Sequence, residues 1–228
     1  MITDIQFEKL SEYKTSSWAI WSKEFLNADC HKCRENEEEQ PKKYFSENLR
    51  LLKNNIILLG LNPSGKKKNK SSTPSRLLGN FHTVKNGKRH KGDLLLSKNI
   101  MEFKNIQGAY MTDISDVVEG KSLKVSLDDN IVKDQLEEKL KILGSKNIHI
   151  ICFGNRVFDT INNILGNGIK RIENEYGVKE FTKNWKNKDL KFYRVYHYSY
   201  IARWNKDDDK VKFKKQLEYV DKAVQKNP

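Results

Sequence analysis

The stretch from Asn54 to Gly65, NNIILLGLNPSG, constrains the fold more than any other part of the chain. Its apolar run Ile56-Ile57-Leu58-Leu59 stops at Gly60 and gives way to Asn62, Pro63, Ser64 and Gly65, which are turn and ligand-contact residues. A strand that is apolar on both faces suits the centre of a parallel sheet, and such sheets hold ligands outside the carboxyl ends of their strands. Chemistry is therefore expected just after Leu59.

Three further segments read as strands. Gln107 to Ile114 (QGAYMTDI) ends in polar Thr112-Asp113; Asn147 to Phe153 (NIHIICF) is broken by Gly154; Leu190 to Tyr196 empties into His197-Tyr198-Ser199-Tyr200. Between and after them lie helical patterns at Ile131 to Leu143, Arg156 to Leu165 and Lys210 to Val224. In the second of these, Val157, Phe158, Ile161, Ile164 and Leu165 share one side, and Gly166 follows as a stop. Strands alternating with helices predict a three-layer α/β/α domain around a four-stranded, mainly parallel sheet.

Residues 1–45 read as a helical extension packed on a domain of residues 46–228. Apolar positions from Ile5 to Leu26 recur at helical spacing, with a break at Thr15 to Ser17 and Ser17 as cap of the second part. Tyr44 to Lys53 reads as a short helix leading into the first strand. Lys66 to Lys104 reads as a long polar loop with Leu94-Leu95-Leu96 as one apolar anchor, and long loops of this kind are usually functional or disordered.

At 228 residues a single α/β domain is expected. No run is long enough to span a bilayer and the N-terminus lacks a signal pattern, so a cytoplasmic monomer with no membrane contact is expected. The formal charge of +13 is unevenly spread: Lys66-Lys67-Lys68-Asn69-Lys70 and the segment Lys85 to Lys91 follow the organising loop, whereas the acidic run Glu35 to Glu39 lies upstream. A surplus of this size steers polyanions, which makes nucleic acid the first partner to consider, with a solvated Lys- and Asn-rich surface as the alternative.

Three cysteines in a chain without a secretion signal do not make a disulfide framework. Cys30-His31-Lys32-Cys33 has a chelating spacing, but a structural zinc needs four ligands and no second pair follows. Cys152 reads as core. No metal and no redox cofactor are expected.

Gly60-x-x-x-x-Gly65-Lys66 matches most of a phosphate-binding P-loop, yet position 67 is lysine where the magnesium-binding hydroxyl belongs. The following KKNKSS also lacks the periodicity of the helix that would hold the phosphates. A P-loop enzyme is thus the weakest of the readings.

The four strand ends taken together say more. Gly60-Leu61-Asn62-Pro63-Ser64, Ala109-Tyr110-Met111-Thr112-Asp113, Cys152-Phe153-Gly154-Asn155 and His197-Tyr198-Ser199 resemble, in order, the motifs of the uracil-DNA glycosylase superfamily, most closely its Gly-x-Asn-Pro branches. The resemblance runs from about Asn54 to Trp204. It implies a DNA glycosylase that hydrolyses the N-glycosidic bond of uracil or another damaged base after swinging it out of the stack. Asn62 and His197 would be catalytic: Asn62 orients the attacking water, and His197 donates to a carbonyl oxygen of the departing base. Asp113, Phe81 and Leu61 would bind the base. Ser64, Lys66, Lys67, Ser199 and Arg203 would contact the DNA backbone, and Tyr200 or Ile201 would wedge into the gap left by the base. Simpler roles stand beside these: a turn residue for Asn62, a strand-end histidine for His197, core packing for Phe81.

Two residues depart from the family pattern. Tyr198 stands where a proline is usual. Asp113 stands where many relatives have an asparagine that reads uracil, and an ionised carboxylate only accepts hydrogen bonds. Either Asp113 turns away from the base or is protonated, or the preferred base is not uracil. These departures leave open a non-catalytic relative that binds nucleic acid or protein.

Overall fold

The computed structural model describes residues 1–22, 26, 40–63, 81, 84–85, 88–89, 91–117, 124–166, 172–204 and 206–226. Among these residues the chain forms a mixed α/β fold on a seven-stranded sheet of order β1-β5-β2-β6-β9-β8-β7. The strands are β1 (Ser17–Trp18), β2 (Ile56–Gly60), β5 (Tyr110–Asp113), β6 (Asn147–Phe153), β7 (Ile172–Glu173), β8 (Lys179–Trp185) and β9 (Lys188–Val195). A separate two-stranded ribbon pairs β3 (Val84–Lys85) with β4 (Lys88–Arg89).

The four expected strands form the parallel centre, with β5, β2, β6 and β9 side by side. Three antiparallel strands the sequence reading did not include extend it: β1 on β5 at one edge, and β8 then β7 beyond β9. All five residues of β2 are buried, and its four apolar side chains alternate between two cores. Ile57 and Leu59 pack on one face with α1 (Asp4–Ser11), α4 (Asp129–Leu143) and α5 (Asn155–Ile164) through Phe7, Leu10, Leu136, Leu140, Phe158 and Ile161. Ile56 and Leu58 pack on the other with α3 (Lys91–Ile100), α6 (Tyr198–Trp204) and α7 (Asp207–Lys226) through Leu96, Ile100, Ile201, Phe213 and Leu217. The layers are therefore helix, sheet, helix, with α2 (Gln40–Glu47) leading toward β2.

Helix ends follow local chemistry. Thr3 caps α1 in a capping box with Gln6. Asp128 caps α4 by accepting from the backbone N–H groups of Asn130 and Ile131, and Gly144 ends it in the left-handed conformation.

Two expectations are corrected. The helical part expected to start from Ser17 as cap starts instead as strand β1 after the break at Thr15 to Ser17. Thr15, Ser16 and Ser17 are fully buried. The Thr15 and Thr112 hydroxyls lie 3.0 Å apart, the Ser16 and Tyr110 hydroxyls 2.5 Å, so the polar residues find partners on β5 and the backbone extends into β1. Leu94-Leu95-Leu96 is part of helix α3, not an anchor in a loop; Ser97 and Asn99 return their side chains to the carbonyls of Leu94 and Leu95, so polar composition does not stop the helix. Beyond the expected strands, β8 and β9 form a hairpin across Lys186-Asn187, both with positive φ (50° and 63°), as a two-residue turn of this hand requires.

Candidate functional site

The carboxyl ends of the four parallel strands finish flush. Gly60 pairs with Asp113, Leu59 with Cys152 and Phe153 with Val195, so Leu61-Asn62, Ile114, Gly154 and Tyr196-His197 leave the sheet at one edge. Strands β2 and β9 flank β6, which puts their axes about 10 Å apart. Gly154 turns this edge sharply: its φ of +87° disfavours any side chain, its N–H donates to Val195 O at 2.8 Å, and a Cβ there would touch the His197 Cβ at 3.6 Å.

His197 is held as a neutral donor. Its Nδ1 accepts from the Ser199 backbone N–H at 3.3 Å and faces the Ser199 hydroxyl at 2.8 Å. With Nδ1 accepting, the neutral ring carries its proton on Nε2. Burial lowers its pKa to about 4, with the Arg203 charge adding to the effect, so the ring stays uncharged at neutral pH. Its carbonyl accepts from the Tyr200 and Ile201 N–H groups and so opens α6. Ser199, expected on a DNA phosphate, here orients the histidine.

Asn62 sits at the mouth of β2, where its Nδ2 donates to the carbonyls of Pro63 (2.9 Å) and Val117 (3.2 Å). The amide is thereby tied both to its own loop and to the loop after β5, which fixes the side-chain plane and the direction of its carbonyl oxygen.

Asp113 is 3 % exposed and lies on the face of β5 opposite Thr112. Its Oδ1 would be 2.1 Å from a Cβ built on Gly60, and Phe81 Cζ would be 3.5 Å from the same point. The carboxylate and the Phe81 ring thus converge on the bare Cα of Gly60. Phe81 is buried, adopts φ of 65°, and lies 6.4 Å from the Tyr198 ring, which in turn stacks on His197 at 5.1 Å. A continuous row runs from Asp113 through Phe81 and Tyr198 to His197. Tyr198 is core: it packs edge-on against Phe153 at 5.0 Å, and burial, reinforced by the carboxylates of Asp93 and Asp113, raises its phenol pKa.

Sequence reading missed Lys139. It lies on α4, is 2 % exposed, donates from Nζ to Thr112 Oγ1 at 3.0 Å, and stands 5.1 Å over the Tyr13 ring. Burial lowers its pKa to about 8 against the pull of the Asp116, Asp113 and Glu138 carboxylates, leaving it charged at neutral pH. Nothing in a helical pattern distinguishes it from a solvated lysine; only its placement behind Thr112 does.

Of the two wedge candidates, Ile201 is 1 % exposed and packed into the core, so it cannot reach a duplex; Tyr200, 60 % exposed, can. Trp204, one helical turn on, is also exposed and lies 6.0 Å from the Tyr200 ring, a pairing the spacing of four would have suggested. Arg203 is exposed on the same short helix. Leu61 is buried in the α4/α5 core, the one away from Phe81. Ser64, Lys66, Lys67 and the Cys30–Cys33 pair lie outside the described residues. Cys152 is buried in β6 and its thiol pKa is pushed up by burial. Among the described residues no cluster of His, Cys, Asp or Glu could hold a metal ion, and no helix is long and apolar enough to cross a membrane.

No protein-family model matches the chain, and no curated protein matches it.

Proposed function

We propose that this protein is a monofunctional DNA glycosylase with a uracil-DNA glycosylase-like fold, hydrolysing the N-glycosidic bond of a damaged or unwanted base swung out of DNA. The observation that carries the reading is His197, a neutral imidazole whose Nδ1 is committed to Ser199 and whose Nε2–H is the remaining donor. A donor of this kind stabilises charge as it develops on a base carbonyl, without first giving up its own proton. Asn62, on the same sheet edge, holds the water beside the sugar. The water oxygen forms a bond to C1′ as the C1′–N bond breaks; the electron pair leaves with the base, the water loses a proton to solvent, and the base gains one. An amide is not a base, so Asn62 contributes orientation, and the cationic sugar in the transition state needs no stronger nucleophile.

The surplus of positive charge supports DNA as partner through phosphate contacts that position without reading sequence. Exposed Tyr200 and Arg203 flank the site from α6 and are suited to the gap and the backbone respectively. A non-catalytic binding role draws on Asn62, whose amide donates to Pro63 beside it and to Val117 in the loop after β5, as a structural residue would.

End-labelled oligonucleotides with one target base, single-stranded or paired, separate the two. Alkali-labile breaks that vanish in Asn62→Ala and fall at least 100-fold in His197→Ala would support hydrolysis. DNA binding by folded protein with no break at any base would refute it.

A further inference from the structure

We infer that the exposed side of α6 is a stacking platform for two successive bases of an unpaired nucleic-acid strand, with Tyr200 and Trp204 as its two rings. The inference goes beyond base excision: it concerns the binding of undamaged strands and gives Trp204 a role that hydrolysis does not need.

Among the described residues only two aromatic side chains are exposed, Tyr200 at 60 % and Trp204 at 58 %, and both lie on this helix. A spacing of four puts them on one side, together with Arg203. The other side is anchored, since Tyr198 and Ile201 are buried in the core shared with α3 and α7. The helix is thus held in place without a ligand. Packing accounts for Tyr198 and Ile201 and leaves Tyr200 and Trp204 without a reason inside the fold. Tyrosine, tryptophan and arginine gathered in water are the composition of an interface, where each ring offers a large apolar area and a polar tip.

The ring geometry selects the partner. The centroids are 6.0 Å apart and the planes are tilted by 51°, so the rings do not stack on each other and each can take a flat partner of its own. Bases along one strand of a duplex follow one another at about 3.4 Å. Bases seated on rings 6.0 Å apart are drawn out of that stack, which pairing resists and a single strand permits.

Charge favours a polyanion here. Arg203, Lys206, Lys212 and Lys215 are exposed, and residues 198–215 carry six basic side chains against three acidic ones. The acids, Asp207, Asp208 and Asp209, occupy the first turn of α7, where the helix end stabilises negative charge, and Lys210 pairs with Asp207 at 3.1 Å. A second copy of the chain would bring the same positive surplus to this face and be repelled. The Tyr200 N–H donates to the His197 carbonyl, so the platform begins within one turn of the candidate site.

The test uses fluorescein-labelled oligothymidylate of about 12 nucleotides, within the site size of such platforms, and a labelled hairpin duplex. Both are titrated by anisotropy with wild type, Tyr200→Ala, Trp204→Ala, Trp204→Phe and Arg203→Gln, and urea midpoints check that each variant folds. Tyr200→Ala and Trp204→Ala should each weaken single-strand binding about 5- to 150-fold, the range of one lost base stack. Trp204→Ala should leave duplex binding and the urea midpoint unchanged, and Trp204→Phe, which keeps a ring, should recover most of the loss. Arg203→Gln should flatten the salt dependence on both probes, as loss of a phosphate contact does. Single-strand binding by Trp204→Ala equal to wild type, or an equal loss on single strand and duplex, would overturn the inference. So would a wild-type protein that binds neither probe, or a dimer in sedimentation velocity that Trp204→Ala dissolves, which would assign this face to a second copy. The alkali assay reads base excision separately.

Discussion

Replacing Gly60 by alanine tests the geometry of the site edge without touching a group that reacts. The new Cβ would meet Asp113 Oδ1 at 2.1 Å and its Cγ at 3.3 Å, while Phe81 Cζ at 3.5 Å is an ordinary contact. Gly60 is not among the glycines with positive φ, so the cost is steric and not a backbone strain. Asp113 is buried on a short side chain and must swing its carboxylate aside, and overpacking of this kind costs about 1–3 kcal/mol. With Asp113→Ala in the background the obstacle is gone, and the same substitution should cost less than about 0.5 kcal/mol. Urea denaturation of the four proteins of this cycle gives the coupling, expected at about 1–2 kcal/mol. Thermal midpoints should show the single variant about 4 °C lower. Equal costs in the two backgrounds, or a Gly60→Ala protein as stable as wild type, would refute the account of Asp113.

The His197 ring is neutral in the folded and unfolded chains at pH 7; below about 6.5 the unfolded chain takes up a proton that the folded site resists down to about 4. Stability should therefore fall by up to about 3 kcal/mol as pH drops through that window, and urea titrations of His197→Gln should lose this part of the slope. In Ser199→Ala the Nδ1 loses its hydroxyl partner and keeps the backbone N–H of residue 199, so nitrogen NMR should show a shifted Nδ1 signal with the Nε2–H tautomer retained; a ring protonated on Nδ1 in the wild type would contradict the assigned roles. Ile201→Ala should cost about 2–4 kcal/mol in denaturant, whereas Tyr200→Ala should stay within about 0.5 kcal/mol and weaken DNA binding in a mobility-shift titration.

The centre of the sheet was legible because its strands carry their own signal. Ile56 to Leu59 is apolar on both faces and is buried on both, and Asn147 to Phe153 matches β6 at both ends. The added strands were not legible because their reasons lie elsewhere in the chain. Trp18 and Trp21 fit a helical spacing as well as an extended one, and the choice is made by the Tyr110 and Thr112 hydroxyls that satisfy Ser16 and Thr15. Helix α3 hides in a lysine-rich stretch, and the β8–β9 turn uses Lys186-Asn187 where Asn-Gly would have announced it. At the site, Asn62, Asp113 and His197 could be found as strand ends. The link from Ser199 to His197, the fit of Asp113 over Gly60 and the cation behind Thr112 depend on register between distant segments, which spacing does not encode.

The edge strand β1 also has a consequence in time. Ser17 and Trp18 pair in the sheet with Met111 and Tyr110, so on the ribosome the N-terminal segment emerges long before the strand it completes. At about 5–20 residues per second, the wait is roughly 5–20 s. Throughout that interval Trp18 and Trp21, both buried at the end, have no finished surface to cover. Sheet closure at this edge thus waits for β5, although it precedes the pairing of β6 and β9, and until then a chaperone that shields exposed aromatics would find its purchase there.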